Sequence, residues 1–152
     1  MRVCRLPILK PAASRRSGAA TVETALVLPI FFMVLLGMVE IGRAFMVSQL
    51  LTNAAREGAR IAIMNNSTNT EVVNAVGDIV QRTIGVAPAD VTVNILVSEH
   101  AGNPSTSNNV ALAKKRDLCE VEVQVAYTKV NMIPVKYFSG ATLTGQAAMR
   151  HE

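Results

Sequence analysis

The chain has 152 residues, enough for one modest domain and an anchor or tail. Half of the residues are apolar and the mean hydropathy is +0.31, high for a soluble protein of this size. Aromatic residues make up only 4%, with no Trp, which argues against a surface that stacks nucleic-acid bases. The net charge of +4 does not restore that reading. Arg2, Arg5, Lys10, Arg15 and Arg16 all precede Gly18, and no acid does. Without those five, ten cations face eleven acids, so the basic character belongs to the leader. Such a charge bias before an apolar run fits a positive-inside signal.

Residues 1–18 carry Pro7 and Pro11 and read as an unstructured basic leader. Residues 19–39 are apolar except for Thr21, Glu23 and Thr24, close to the ~20 residues that cross a hydrocarbon core. Pro29 should bend this helix. The helical pattern continues past Glu40 through "IGRAFMVSQLLTNAAREGARIAIM", so one helix is predicted over residues 20–64. Ile41, Phe45, Leu51, Ala55, Ala59 and Ala62 make its packing face if a turn is skipped at Ser48. Glu40 with Arg43, and Glu57 with Arg60, are spaced as i,i+3 pairs on an exposed helix.

"NNSTN" breaks the helix, and Thr68 with Glu71 forms a capping-box pattern. Val72, Val76, Ile79, Val80 and Thr83 or Ile84 then predict an amphipathic helix over 69–84, stopped by Gly85 and Pro88. After Pro88 the period becomes two. Val91, Val93, Ile95 and Val97 predict a strand, and Cys119, Val121, Val123, Val125 and Tyr127 a second. Residues 99–117, with "AGNPSTSNN" and "KKRD", read as a long exposed loop whose Lys114, Lys115 and Arg116 are solvated. "NMIPVKYFSG" is an apolar connector, and Leu143, Gly145, Ala147 and Met149 predict a last strand. The fold class is therefore α+β: a long N-terminal transmembrane helix, a second short helix and a small antiparallel sheet of about three strands. The sheet needs a cover, and the two helices are available.

Three readings of the opening segment compete. A cleaved export signal lacks a small-x-small site soon after Leu36, and Arg15-Arg16 is followed by Gly18 and Ala19 rather than the bulky apolar pair of a twin-arginine signal. A plain anchor leaves Glu23 shallow and facing water. The third reading uses every feature: cleavage after Gly18 makes Ala19 the new N-terminus and Glu23 its fifth residue. Residues one and five of a helix share a face. A carboxylate inside an apolar helix is costly and asks for a function. This arrangement resembles the class III signal of type IV pilins. That resemblance implies a cut by a prepilin peptidase on the cytoplasmic face, and a Glu23 that meets the free amino group of a neighbouring subunit.

"GAATVETALVLPIFFMVLLGMVEIGRAF" followed by "LTNAAREGARIAI" resembles the TadE-like family, pseudopilins of the tight-adherence (Tad/Flp) pilus system. "AAREGAR", Ala54 to Arg60, is the most specific piece, and "LTGQAAMRHE" is similar to the family's last strand. The resemblance implies a minor pilin-like subunit acting in pilus assembly and surface adhesion. It implies a leader 1–18 removed by the peptidase, a transmembrane helix 19–40 and an extracytoplasmic domain 41–152. The setting is the bacterial inner membrane, single-pass, with a cytoplasmic N-terminus. The partners would be the prepilin peptidase, other Tad pilus subunits, inner-membrane assembly proteins and membrane lipid, with no nucleic acid. The alternative is an unprocessed single-pass membrane-anchored binding or sensor domain.

Arg56, Glu57 and Arg60 are a candidate partner contact, although a solvated face with an internal ion pair explains them as well. Ala54, Ala55, Gly58, Ala59 and Ala62 are small enough for close packing, most simply within the chain. No Ser/His/Asp set, Gly-rich phosphate loop or paired-carboxylate cleft appears, so the sequence gives an enzyme no support and implies no cofactor. His100 and His151 are the only histidines and there is no CxxC, which argues against a metal site. Cys4 and Cys119 read as two unrelated thiols, since a bridge would need the leader to stay and an oxidising compartment.

Overall fold

A computed structural model describes residues 15–131 and 140–151. The elements are a helix α1 (Arg15–Ala62), a helix α2 (Asn69–Ile84), and strands β1 (Val91–Ser98), β2 (Leu118–Ala126) and β3 (Thr142–Arg150). This is the α+β arrangement expected from the sequence. The chain divides into two compact units, the first ending at Met38 and the second beginning at Val39. Most of the leader and most of the connector with Pro134 lie outside the described residues.

The first unit is helical from Arg15, so the last residues of the leader are not coil as expected. Arginine and alanine are good helix formers, and no proline follows Pro11 until Pro29, so nothing there stops the helix from starting early. The helix runs through Pro29. Every side chain from Gly18 to Val39 is exposed, although nearly all are apolar. A helix that is apolar on all sides needs an apolar medium. This is a helix long and apolar enough to cross a membrane.

In the second unit the three strands form one antiparallel sheet in the order β1-β2-β3. The register sets the expected apolar positions in rows: Val91–Val125–Leu143, Val93–Val123–Gly145, Ile95–Val121–Ala147 and Val97–Cys119–Met149. Because strand side chains alternate, these rows share one face. The other face carries Thr92, Gln124 and Thr144, and next to them Asn94, Glu122 and Gln146, where both amides donate to the Glu122 carboxylate.

The apolar face is covered by α2 and by the later turns of α1. Val47, Leu51, Ala54, Ala55, Ala59 and Ala62 are buried with Val72, Val76 and Val80 against the sheet valines and Cys119. The small-residue stripe of α1 is thus intrachain packing. Gly58 allows a close approach of α1 to α2 and β2: a Cβ there would stand 2.6 Å from Val76 Cγ2 and 3.2 Å from Val121 Cγ1. Gly145 plays the same part on β3, where a Cβ would collide with the backbone of Leu51 and Thr52.

α2 starts and stops where the sequence indicates. The Thr68 side chain accepts from the Glu71 N–H, the Glu71 carboxylate accepts from the Thr68 N–H, and Gly85 closes the helix in the left-handed region at φ 82°. Ile84 rather than Thr83 completes the partly buried stripe.

Two expectations need correction. The packing face of α1 does not include Ile41 and Phe45, which are 53% and 69% exposed. The buried ladder is instead Glu40, Ala44, Val47, Leu51, Ala54 and Ala55, an unbroken i+3/i+4 series with Ala44 half-buried. A glutamate heads that ladder, and an apolar template passes over it. For the same reason Glu40 and Arg43 are not an exposed helical pair: Glu40 is 5% exposed and accepts from Tyr127 on another element.

Nor is 99–117 a simple exposed loop. Thr106 and Asp117 are fully buried, and Val110 joins the core. Two carboxylates replace a ladder of backbone bonds. Glu99 accepts from the Thr106 N–H and hydroxyl at 2.8 and 3.0 Å. Asp117 accepts from the His100 N–H at 2.8 Å, the Asn103 amide at 2.6 Å and the Lys114 N–H at 2.7 Å. Asn69, at the start of α2, accepts from the Val110 N–H and donates to the Asn108 carbonyl. Lys114, Lys115 and Arg116 are exposed, as expected.

Candidate functional site

In the first unit Gly18, Ala19 and Glu23 all lie on α1 and are all exposed. Ala19 and Glu23 are four residues apart and share a helix face. Thr21 and Thr24 are the other polar residues of this stretch. Their hydroxyls turn back onto the helix, Thr21 donating to the Gly18 carbonyl at 3.0 Å and Thr24 to the Ala20 carbonyl at 2.8 Å. Their polarity is thereby spent locally. Glu23 is the one charged residue from Gly18 to Val39, and its carboxylate makes no hydrogen bond or ion pair among the described residues. A shallow groove of Thr24, Val27, Leu28 and Phe31 adjoins it.

In the second unit Arg56 is exposed and Glu57 half-buried. Arg60 Nε and Nη2 donate to the two Glu57 oxygens at 3.0 and 2.6 Å. The Arg60 hydrogen bond holds the Glu57 carboxyl below its usual range, and Glu57 in turn holds the Arg60 guanidinium above its own. The ion pair expected from the i,i+3 spacing is therefore formed. Arg56 stands beside it in sequence and outside that pair.

Sequence reasoning missed the polar seam at the start of this unit. The Tyr127 hydroxyl donates to Glu40 Oε1 at 2.6 Å, a buried bond, and Arg43 Nε donates to the Val130 carbonyl at 2.6 Å. Tyr127–Lys129 form a turn that follows β2 directly. The seam therefore ties α1 to the end of the central strand. Burial first, then the hydrogen bond and charge of Glu40, push the Tyr127 phenol up to about 12. A signal was present: a glutamate in register with Ala44, Val47 and Leu51 faces the core and must find a donor there.

Asp117 organises the opposite end of β2. Burial pushes its carboxyl up, but the hydrogen bonds from His100, Asn103 and Lys114 outweigh this and leave it below its ordinary value. Burial and then the Asp117 charge raise the neighbouring Cys119 thiol. Among the described residues no three of His, Cys, Asp and Glu gather as a metal site would require.

Residues 18–60 match the family model described as TadE-like protein. The match bears out the resemblance read from the sequence. It takes in Gly18, Glu23 and the whole "AAREGAR" segment and leaves α2 and the sheet outside. No curated protein and no solved structure matches the chain.

Proposed function

We propose, from the TadE-like match over residues 18–60, that this Tad-pilus-associated chain is a minor pilin-like subunit acting in assembly of the pilus and in surface adhesion. A prepilin peptidase cuts between Gly18 and Ala19 on the cytoplasmic face. Residues 19–40 remain as a single membrane span in the bacterial inner membrane, and residues 41–152 stand outside the cytoplasm. The cluster of five cations ahead of Gly18, with no acid among them, supports this orientation.

Glu23 acts as the assembly key. The new amino group at Ala19 of a neighbouring subunit carries the charge that Glu23 lacks, and the same two positions share a helix face. Pairing removes the penalty of a lone carboxylate in hydrocarbon, and a mismatched neighbour leaves the penalty in place. Arg56, with the Glu57–Arg60 pair, is the contact face for other pilus subunits. The chemistry is recognition and insertion, not turnover.

The observation that carries this reading is the family match that spans both Glu23 and "AAREGAR". Mass spectrometry of the protein from cells with and without the peptidase tests it. The expected N-terminus is Ala19 only when the peptidase is present. An intact N-terminus in both strains overturns processing and leaves an unprocessed anchored binding or sensor domain.

A further inference from the structure

We infer that the second unit is seated on the lipid bilayer by an apolar patch of Ile41, Phe45 and Met46, so that lipid contact extends past Glu40 to the level of Gln49. This rests on the reading of residues 19–40 as a membrane span. In the sequence Glu40 and Arg43 look like the water boundary. In the structure Glu40 is buried on Tyr127, and Arg43 Nε is held by the Val130 carbonyl on the flank of the packed face. At 100° per residue Gly42, Phe45 and Met46 fill the outward arc of this turn, with Ile41 on one flank and Arg43 on the other. The apolar members Ile41, Phe45 and Met46 are all exposed, Phe45 at 69% and Met46 at 63%. The first polar residue in the arc is Gln49, also exposed.

An apolar groove of about 330 Å³ opens beside the arc, lined by Ile41, Ala44, Phe45, Tyr127, Ala141 and Leu143. Ser48 also lines it, its hydroxyl turned to donate to the Thr144 carbonyl. The occupant follows from adjacency in the chain. The patch begins two residues after Val39, the last of an uninterrupted exposed apolar stretch, and a bilayer around that stretch is the medium nearest to it. Apolar side chains at this level sit at the boundary of acyl chains and headgroups. An exposed Arg at the same turn, as Arg43 is, reaches the headgroups with its charge.

The chain has no Trp, so a single introduced Trp is the sole indole emitter. The full chain carrying Phe45→Trp is reconstituted in phosphatidylcholine vesicles with and without bromine on the acyl chains. Val34→Trp, within the apolar stretch, and Leu112→Trp, on an exposed turn, are measured alongside. The expected result is blue-shifted emission and loss of intensity in brominated vesicles for Phe45→Trp and Val34→Trp, with Leu112→Trp unchanged. Loss for Val34→Trp but none for Phe45→Trp overturns the seat and leaves the span intact. In that case red emission means that water covers the patch, and blue emission that a second copy does. No loss for Val34→Trp overturns the span itself. Met46→Trp repeats the measurement at a second exposed position and guards against a local defect at residue 45.

Discussion

The Tyr127 hydroxyl and the Glu40 carboxylate meet at 2.6 Å inside the second unit, although 87 positions separate them in sequence. This bond joins the beginning of the packed part of α1 to the turn after β2. Tyr127→Phe removes the donor and keeps the ring. The variant should lose about 1–3 kcal/mol of unfolding free energy, because a buried acceptor loses a partner. Urea unfolding of the full chain in detergent reads this directly. A midpoint equal to the parent's would show that the bond adds nothing.

The same bond gives the unit an alkaline limit. The folded Tyr127 phenol is raised to about 12, whereas an unfolded tyrosine titrates near 10. Between those values the folded state keeps a proton that the unfolded state releases. Its contribution is complete below about pH 10 and declines as pH rises through about 12, by up to about 1.4 kcal/mol per unit. Thermal melts from pH 9 to 11.5 should fall more steeply for the parent than for Tyr127→Phe. Parallel curves would remove this residue as the cause.

Gly145→Ala should be the most damaging conservative change in the sheet. Its methyl group meets the Leu51 and Thr52 backbone, with Leu51 Cβ at 2.8 Å, and a helix backbone cannot step aside as a side chain can. A loss of about 3 kcal/mol or more is expected, at the upper end for overpacking. Gly58→Ala meets mainly Val76 Cγ2 and should cost less, about 1–2 kcal/mol. Denaturant midpoints of the two variants decide the order, and the reverse ranking would contradict the helix-on-sheet contact.

These contrasts also explain what could be read in advance. Wherever apolar residues repeat at a fixed step, the sequence was transparent. The Thr68–Glu71 cap, the α2 stripe and the three alternating strands all fall where periodicity places them. The face of α1 does not follow from apolar repeats because Glu40, a charged residue, occupies a core position. Residues 99–117 look open in the sequence because Glu99, Asn103, Thr106 and Asp117 are hydrophilic. Their order comes from side chains bonding to distant backbone groups, which leaves no period. Gly18, Ala19 and Glu23 were legible as a spacing, and that spacing lies within the family match.

Asp117→Asn should loosen that loop. The amide nitrogen would confront an N–H where the carboxylate now accepts, so about 2–3 kcal/mol should be lost. The carboxyl is depressed in the folded state, so its contribution is present above about pH 4, the unfolded value, and is lost as pH falls through the lower folded value. Stability measured from pH 6 to 2.5 should drop less steeply for Asp117→Asn than for the parent. An unchanged acid limb would assign the pH dependence elsewhere.

Glu23→Ala tests the assembly key apart from insertion. Removing a carboxylate from an apolar helix favours the membrane, so the variant should fractionate with membranes as the parent does. Pilus assembly should nonetheless fall sharply, as counted by electron microscopy of surface filaments. Normal piliation would refute the register role while leaving the anchor untouched.

Cys119 lies near one end of the central strand with no exposed surface. Its sulfur is out of reach of alkylating reagents while the strands stay together, and it becomes reactive when they part. If the leader with Cys4 is cut away, Cys119 is the one thiol left to label. The rate at which a maleimide captures it would then time the opening of the protein's interior in a living cell, without any engineered probe.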